Sequence, residues 1–516
     1  MSGTGFHGRN WVLAAMIFAV AMTFIDQTIV SIAVPNIQRE LSLSSTAVQW
    51  VVNGYLLALA ALFALGGRLS DIFGHTKMCV IGVIVFVGAS VMCGLTPKGS
   101  AAEAWIIAFR VVQGAGGAIM FPAALAIVVV TFPLRERGKA LAIFFGIAGG
   151  LTALGPVLGG YLTQWTWRAI FWVNVPVALI ALVLIALSKP KTEYQRAPID
   201  YRGAVLLAAG VGLSIFGLQQ SALWGWSNPA TWACIVVGVL IIVLFGIVEL
   251  RTDSPLIAIG IFKIRAFFVE NLVLLVTMIA FIPTFFFASE YAQISLHKSA
   301  SQAGLFLLAF FVGFAVAAQI GGRILDREGA KRAVVIGAAV AAVGYGFWAS
   351  KVTTLSFSKQ EIWVVVAGAG MGMLIGPANT DAINRASNLS YGEATGITQT
   401  VRNFGASLGL AALGTVLLFN FRDELTTTFR QKGYPDPASL ATKVSEQQQG
   451  GSGTTAGTIP HYVSVDFAHA TSVVLYAMCG VMAFAGVVAL FGLVRGRQED
   501  PTLEVEEATP TSAGAG

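Results

Sequence analysis

The chain has 516 residues, 56% of them hydrophobic and only 11% charged, with a formal net charge of +6. A soluble protein carries roughly 25% charged residues, so this composition excludes a soluble enzyme or binding module and points to a polytopic membrane protein. The basic residues sit in short stretches between apolar runs, without interleaved aromatics, which argues against nucleic acid as a partner.

Residues 1–10 read as a cytoplasmic N-terminus, and the first apolar run spans 11–34. Its length and its internal Asp26 set it apart from a cleaved leader. A carboxylate at hydrocarbon depth is costly, so it is either paired structurally with a base or functional. At 1.5 Å per residue Asp26 lies about 12 Å from the outer end of its run. The second run, 47–66, carries Asn53 and Tyr55, polar groups able to line a cavity. It leads into GGRLSDIFGHTK, from Gly66 to Lys77, which holds Gly67, Asp71 and Gly74. Such glycines suit a tight turn where helices nearly touch. The acid can cap the next helix, and the basic residues favour the cytoplasmic side.

Runs at 78–95 and 104–130 follow. The second of these holds Arg110, about 9 Å from its outer end. That matches the depth of Asp26, so pairing would relieve the burial of both charges, and protonating Asp26 would break the pair. Gln113, one turn on, shares the face of Arg110. The fifth run, 139–163, contains GIAGGLTALGPVLGGYL. Pro156 removes a backbone hydrogen bond and bends the helix. Gly155, Gly159 and Gly160 admit another helix closely. Ordinary membrane-helix packing uses the same residues; their density here favours a dedicated hinge or seal. The sixth run is 167–187, and two charge-free runs at 203–220 and 231–248 match nothing else in the chain.

The ninth run, 267–289, is bracketed by Glu270 and Glu290, which either sit at the membrane interface or act as further acids in transport. Its end, PTFFFASEY, reads equally as a stacking surface for a flat ligand and as a packed aromatic cluster. The tenth run, 301–321, carries Gln319, a second candidate cavity group, and leads into GGRILDREGAKR with Arg323, Asp326 and Gly329. This repeats the first turn at a fixed offset, 321 minus 66 or 255 residues. The same offset relates Gly117 to Gly372 and Pro122 to Pro377, so the chain reads as two homologous halves. Runs at 332–350, 361–381, 396–419 and 470–493 complete the second set. Asp381 and Arg402, near the ends of neighbouring runs, suggest a gating ion pair. Between the last two runs lies the long segment 420–469; FRDELTTTFRQ at its start reads as a short interfacial helix, and EQQQGGSGTTAG at its centre as flexible.

The expected fold is all-α, with fourteen transmembrane helices. A six-helix bundle spans 11–190, two linker helices fall within 191–266, and a second six-helix bundle spans 267–493 with its outer loop at 420–469. An acidic, disordered tail covers 494–516. Segments on the side of the two glycine turns hold about twice as many Lys and Arg as those on the other side, which puts both termini in the cytoplasm. The four cysteines lie in apolar runs as packing residues. No nucleotide-binding loop, metal-ligand cluster or Ser/His/Asp arrangement occurs, so no enzyme activity, metal or cofactor is expected.

The two glycine turns resemble the loop signature of the major facilitator superfamily. Arg110, Gln113 and Gly114 resemble its fourth-helix motif, and LGPVLGG its antiporter motif. IDQTIVSIAVP, QWVVNGYLL and WRAIFWVNVP, with fourteen spans, resemble the fourteen-helix drug:proton antiporter subfamily of the EmrB and QacA type. The resemblance covers the chain apart from the outer loop and the tail. It implies a major facilitator fold and a rocker-switch exporter driven by the transmembrane proton gradient. Asp26 would be the proton-coupling acid, Arg110 the motif arginine, and Asp71 the loop acid that steadies the outward-open state. Ile72 and His75 stand where the family often has basic residues, and Leu151 at the antiporter motif's leading glycine. The expected substrate is an amphipathic, aromatic or cationic drug or toxin, moved by a monomer in the plasma membrane's lipid bilayer in exchange for protons. One endogenous metabolite (an antibiotic, siderophore or lipid) is the alternative. A receptor without transport would leave Asp26 and the glycine–proline motif unexplained.

Overall fold

In a computed structural model of the chain the described residues are 6–133, 136, 140, 143–144, 147, 151–152, 154–190, 200–253, 255–257, 259–386, 391–450 and 460–496. Among them, thirteen helices are long and apolar enough to cross a membrane. The first half holds α1 (Phe6–Leu41), α2 (Ser45–Phe73), α3 (His75–Gly94) and α4 (Ala102–Thr131). The fifth expected run lies partly outside the described residues; its second part is α5 (Leu154–Trp165). A short α6 (Ala169–Trp172) leads directly into α7 (Asn174–Ser188), and together they make one span. The linker helices are α8 (Tyr201–Trp224) and α9 (Pro229–Glu249). The second half holds α10 (Arg265–Ile294), α11 (Ala300–Glu328), α12 (Ala330–Val352), α13 (Phe357–Asn384), α14 (Tyr391–Gln431), α15 (Pro437–Gly450) and α16 (His461–Gly492).

Several helices outrun their apolar stretches. α1 continues through Pro35 to Leu41, since one proline removes only one ladder bond. α14 runs unbroken to Gln431, so FRDELTTTFRQ continues a spanning helix and is not a separate interfacial one. Glu446–Gly450, at the front of the expected flexible centre, belong to α15. Residues 451–459 and the tail from 497 lie outside the described residues.

The repeat seen in the sequence is a repeat of packing. A Cβ on Gly66 would lie 2.1 Å from the Ala118 carbonyl oxygen, and one on Gly321 would lie 2.4 Å from that of Met373. Both members of that pair shift by the same offset. Gly117 likewise faces Leu59, and Gly372 faces Phe314. Glycine is required where the α2 and α4 backbones, and the α11 and α13 backbones, come this close. At the turns themselves Gly74 has φ 93° and Gly329 φ 88°, a region that L side chains avoid. Neither Asp71 nor Asp326 takes the expected capping place. Gly74 and Gly329 occupy the N-cap positions of α3 and α12, and neither has a side-chain cap. Asp71 instead lies in the last turn of α2, 3.9 Å from His75 Nδ1.

Both turns lie at one end of the bundle. There Arg9 near the start of α1 meets Glu136 beyond α4, and Lys331 at the start of α12 donates to the Leu493 carbonyl after α16. At the opposite end Glu40 of α1 accepts from Trp167 Nε1 (2.8 Å) and Arg168 Nη1 (2.5 Å), and Arg168 Nη2 donates to the Thr96 carbonyl beyond α3. The two halves meet reciprocally: α5 packs on α11, and α14 packs on α2. Gly304 faces the Pro156 backbone with no room for a Cβ, and Gly414 faces the end of the Gln49 side chain. α8 lies along the α2–α14 seam, with α9 outside it.

Candidate functional site

Three of the sequence candidates converge at the centre of the first half. Arg110 Nη1 donates to Asp26 Oδ2 at 2.6 Å and to Gln113 Oε1 at 2.8 Å. Gln113 Nε2 donates to Asp26 Oδ1 at 2.9 Å, closing a three-membered ring of side chains. Arg110 Nε donates to the Val51 carbonyl at 2.7 Å. The guanidinium carbon sits 4.5 Å from the centre of the Tyr55 ring, a cation–π contact that needs no counter-charge. Asp26 is 1% exposed and Arg110 and Gln113 are 0% exposed. The α4 register explains the arrangement: positions 110 and 113 are one turn apart and share a face. A buried pair this well satisfied is stable only while both charges exist. Removing one leaves the other uncompensated, at a cost of about 3–5 kcal/mol.

Asn53, one turn from Gln49 on α2, bridges three helices. Its Nδ2 donates to Gln219 Oε1 of α8 at 2.7 Å, and its Oδ1 accepts from Ser407 Oγ of α14. Neither Gln219 nor Ser407 stood out in the sequence. A glutamine in an otherwise apolar, charge-free run was the available signal.

A small central cavity of about 20 Å³, room for a water or two, lies between α1, α2 and α4 on one side and α10 and α14 on the other. Thr23, Phe24, Gln27, Leu59, Phe63 and Phe121 line the first side, and Met278, Ile282, Gln399, Arg402, Asn403 and Ala406 the second. Gln27 and Thr23 thus place the helix that bears Asp26 against this space. The polar spacing Gln399–Arg402–Asn403 marks one helical face, and that stripe in an apolar run was a legible signal.

The remaining candidates separate. Asp381 does not pair with Arg402; its Oδ2 accepts from Arg385 Nε at 2.7 Å, one turn away on the same helix. An i,i+4 partner is reachable without crossing to another helix, which explains the choice. Glu270 is 0% exposed, so it is not an interfacial group; neither of its oxygens has a hydrogen-bond partner among the described residues, although Asp381 and Arg385 are close enough to act on it. Glu290 is also buried, at the opposite end of α10. Gln319 is exposed and does not line the cavity. The PTFFFASEY aromatics are core: Phe285, Phe286 and Phe287 are buried, and Phe285 stacks on Phe311 at 5.0 Å.

The glycine–proline motif is divided between two neighbours. Gly155 and Gly159 face α1, with hypothetical Cβ atoms 1.9 Å from Thr28 Oγ1 and 2.9 Å from the Ile29 carbonyl oxygen. Gly160 faces the other half, where a Cβ would lie 2.6 Å from Ser301 Cα, and Pro156 lies against Gly304. Gln164 Nε2 donates to Ser301 Oγ beside them, and Gln293 Nε2 donates to the Ile32 carbonyl at 3.0 Å. The halves are therefore shut against each other at the end opposite the turns. At the turns, a Cβ on Gly67 or Gly322 has room. Arg323 and Asp326 are exposed, with no ion pair among the described residues.

Residues 16–410 match the family model of the Major Facilitator Superfamily. The chain is 32% identical over 99% of its length, and 96% of the relative's, to the tetracenomycin C resistance and export protein of Streptomyces glaucescens. It is 33% identical over 78% of its length, and 84% of the relative's, to the cephamycin export protein of Amycolatopsis lactamdurans. In fold it is similar to a bacterial homologue of the human lysosomal transporter Spinster in an inward-facing, unoccupied conformation, with TM-score 0.61 at 16% identity over 95% of this chain and 97% of that one. Two packed halves related by a sequence offset, a central cavity between them and a family match over most of the chain lead to one conclusion: this protein belongs to the Major Facilitator Superfamily.

Proposed function

We propose that the chain is a secondary active exporter that exchanges protons for an amphipathic small molecule by alternating access. The observation that carries this reading is the buried Asp26–Arg110–Gln113 ring on the helix that also lines the central cavity. While Asp26 is ionised, the ring is electrically balanced. A proton on Asp26 removes one charge and leaves Arg110 with the Val51 carbonyl, Gln113 and the Tyr55 ring. That change, on the order of a few kcal/mol, is large enough to bias a two-state bundle. Substrate contact at Thr23, Phe24 and Gln27 acts on the same helix, so substrate and proton compete through α1. The glycine contacts of α5 with α11, and of α14 with α2, form the seal that opens when the halves rock. The relatives named for export of tetracenomycin C and cephamycin support the direction of transport. No cofactor enters this scheme; the proton gradient supplies the energy, and the monomer suffices.

The test is reconstitution of the full chain into proteoliposomes with an imposed pH gradient and an amphipathic fluorescent dye. Dye movement should follow the gradient and stop when a protonophore collapses it. Dye flux indifferent to the gradient removes the proton-coupled reading.

In this reading the turns and both termini face the cytoplasm, because the basic residues concentrate there. With single cysteines at Ser452→Cys or Lys331→Cys, an impermeant maleimide added to intact cells should label the first and spare the second. Labelling of Lys331→Cys would invert the topology.

A further inference from the structure

The central cavity carries a phenylalanine cluster beside Thr23 and Gln27 on one side and, among the described residues, the cation of Arg402 on the other. Phe24, Phe63 and Phe121 form a cluster with ring centres 5.3–5.7 Å apart. Across from them Arg402 extends from α14. Its Nη1 donates to Gln399 Oε1 at 3.0 Å and to Asn379 Oδ1 at 3.5 Å, both neutral acceptors. Its Nε is buried and has no hydrogen-bond partner among the described residues. Among the described residues no carboxylate lies within ion-pair distance of it. Asp381 is held by Arg385 and Asp26 by Arg110, while the buried Glu270 is outside both the cavity lining and ion-pair distance of Arg402. Among the described residues no Asp or Glu lines the cavity.

A guanidinium whose Nε is buried without an acceptor, and which has no counter-charge, is costly unless a ligand supplies one. Arginine presents its N–H groups as a planar fork, which matches a carboxylate or phenolate oxygen better than a neutral group. We infer that Arg402 is the recognition point for an acidic oxygen on an aromatic substrate, whose ring system lies against Phe24, Phe63 and Phe121 once the halves part and the cavity widens. This rests on the export reading and narrows its substrate: the amphipathic cargo carries a negative charge at the end that meets α14.

Two xanthene dyes of similar size and opposite charge test the assignment, fluorescein as the anion and rhodamine 123 as the cation. Binding to the detergent-purified full chain is read by fluorescence polarisation. The wild-type chain should bind fluorescein more tightly than rhodamine 123. Arg402→Gln should weaken fluorescein binding about tenfold or more, the usual worth of a charge-assisted hydrogen bond, and leave rhodamine 123 unchanged. Arg402→Lys should recover part of the loss, which a purely structural role would not predict. The inference is overturned if the wild-type chain does not bind fluorescein, if Arg402→Gln binds it as tightly as wild type, or if that variant weakens both dyes equally. Fluorescein that binds through Arg402 but does not move under a pH gradient keeps this inference and removes the export reading.

Discussion

Asp26→Asn is expected to reduce pH-driven dye export in proteoliposomes by more than about tenfold, while dye binding stays near the wild-type level. The amide has the charge of the protonated acid, so the variant is fixed in one of the two states between which the cycle must alternate. The geometry also sets a structural consequence. Asp26 accepts from both Arg110 and Gln113; an amide has one acceptor and one donor group, so one of those bonds becomes donor against donor. Arg110 keeps its Val51 and Tyr55 contacts but loses its counter-charge. Cheaper burial of the amide is therefore offset by an uncompensated guanidinium, and the thermal midpoint should fall. The double variant Asp26→Asn with Arg110→Gln removes both charges and should regain part of that stability. It should not regain pH-driven export. Either variant exporting at the wild-type rate, with the flux still following the pH gradient, would take Asp26 out of the coupling step and leave Glu270, Glu290 and Asp381 to be tested.

The second large effect is expected at the seal. Gly160→Leu places a branched side chain where even a Cβ would lie 2.6 Å from Ser301 Cα and 2.8 Å from the Ala300 carbonyl oxygen. Those atoms belong to the other half, so each half can still fold, and the protein should be expressed near the wild-type level. The halves then cannot shut at this end, and transport should fall by more than about tenfold, since close backbone approach tolerates no bulk. A cysteine pair at Gln164→Cys and Ser301→Cys reads the gap directly. It should cross-link readily in the otherwise wild-type chain and poorly with Gly160→Leu present. Gly159→Leu differs: its neighbour is Ile29 in α1 of the same half. It should impair transport too, but together with lower stability, because the clash lies inside one bundle. Normal efflux and normal cross-linking in Gly160→Leu would mean that this contact never tightens during the cycle.

What the sequence determined alone is what depends on distance along one helix. Apolar length marks a span, and a rise of 1.5 Å per residue marks depth. That was enough to find the membrane helices and to set Asp26 level with Arg110. It also placed Gln113 on the arginine's face and revealed the offset between halves, which returns in space as Gly66 on Ala118 and Gly321 on Met373. What the tertiary structure decided is what depends on rotation about each helix axis and on the neighbour that results. Gly155, Gly159 and Gly160 are nearly adjacent in the chain, yet only packing shows that two face α1 and one faces α11. Asp381 and Arg402 lie in consecutive helices, but Asp381 turns to Arg385 and Arg402 turns to the cavity. Gln219 sits in a linker helix with no repeat partner, and only the fold carries it to Asn53. Helix rotation is fixed by side chains far apart in sequence that compete for the same buried surface, and no local period in one chain records the outcome.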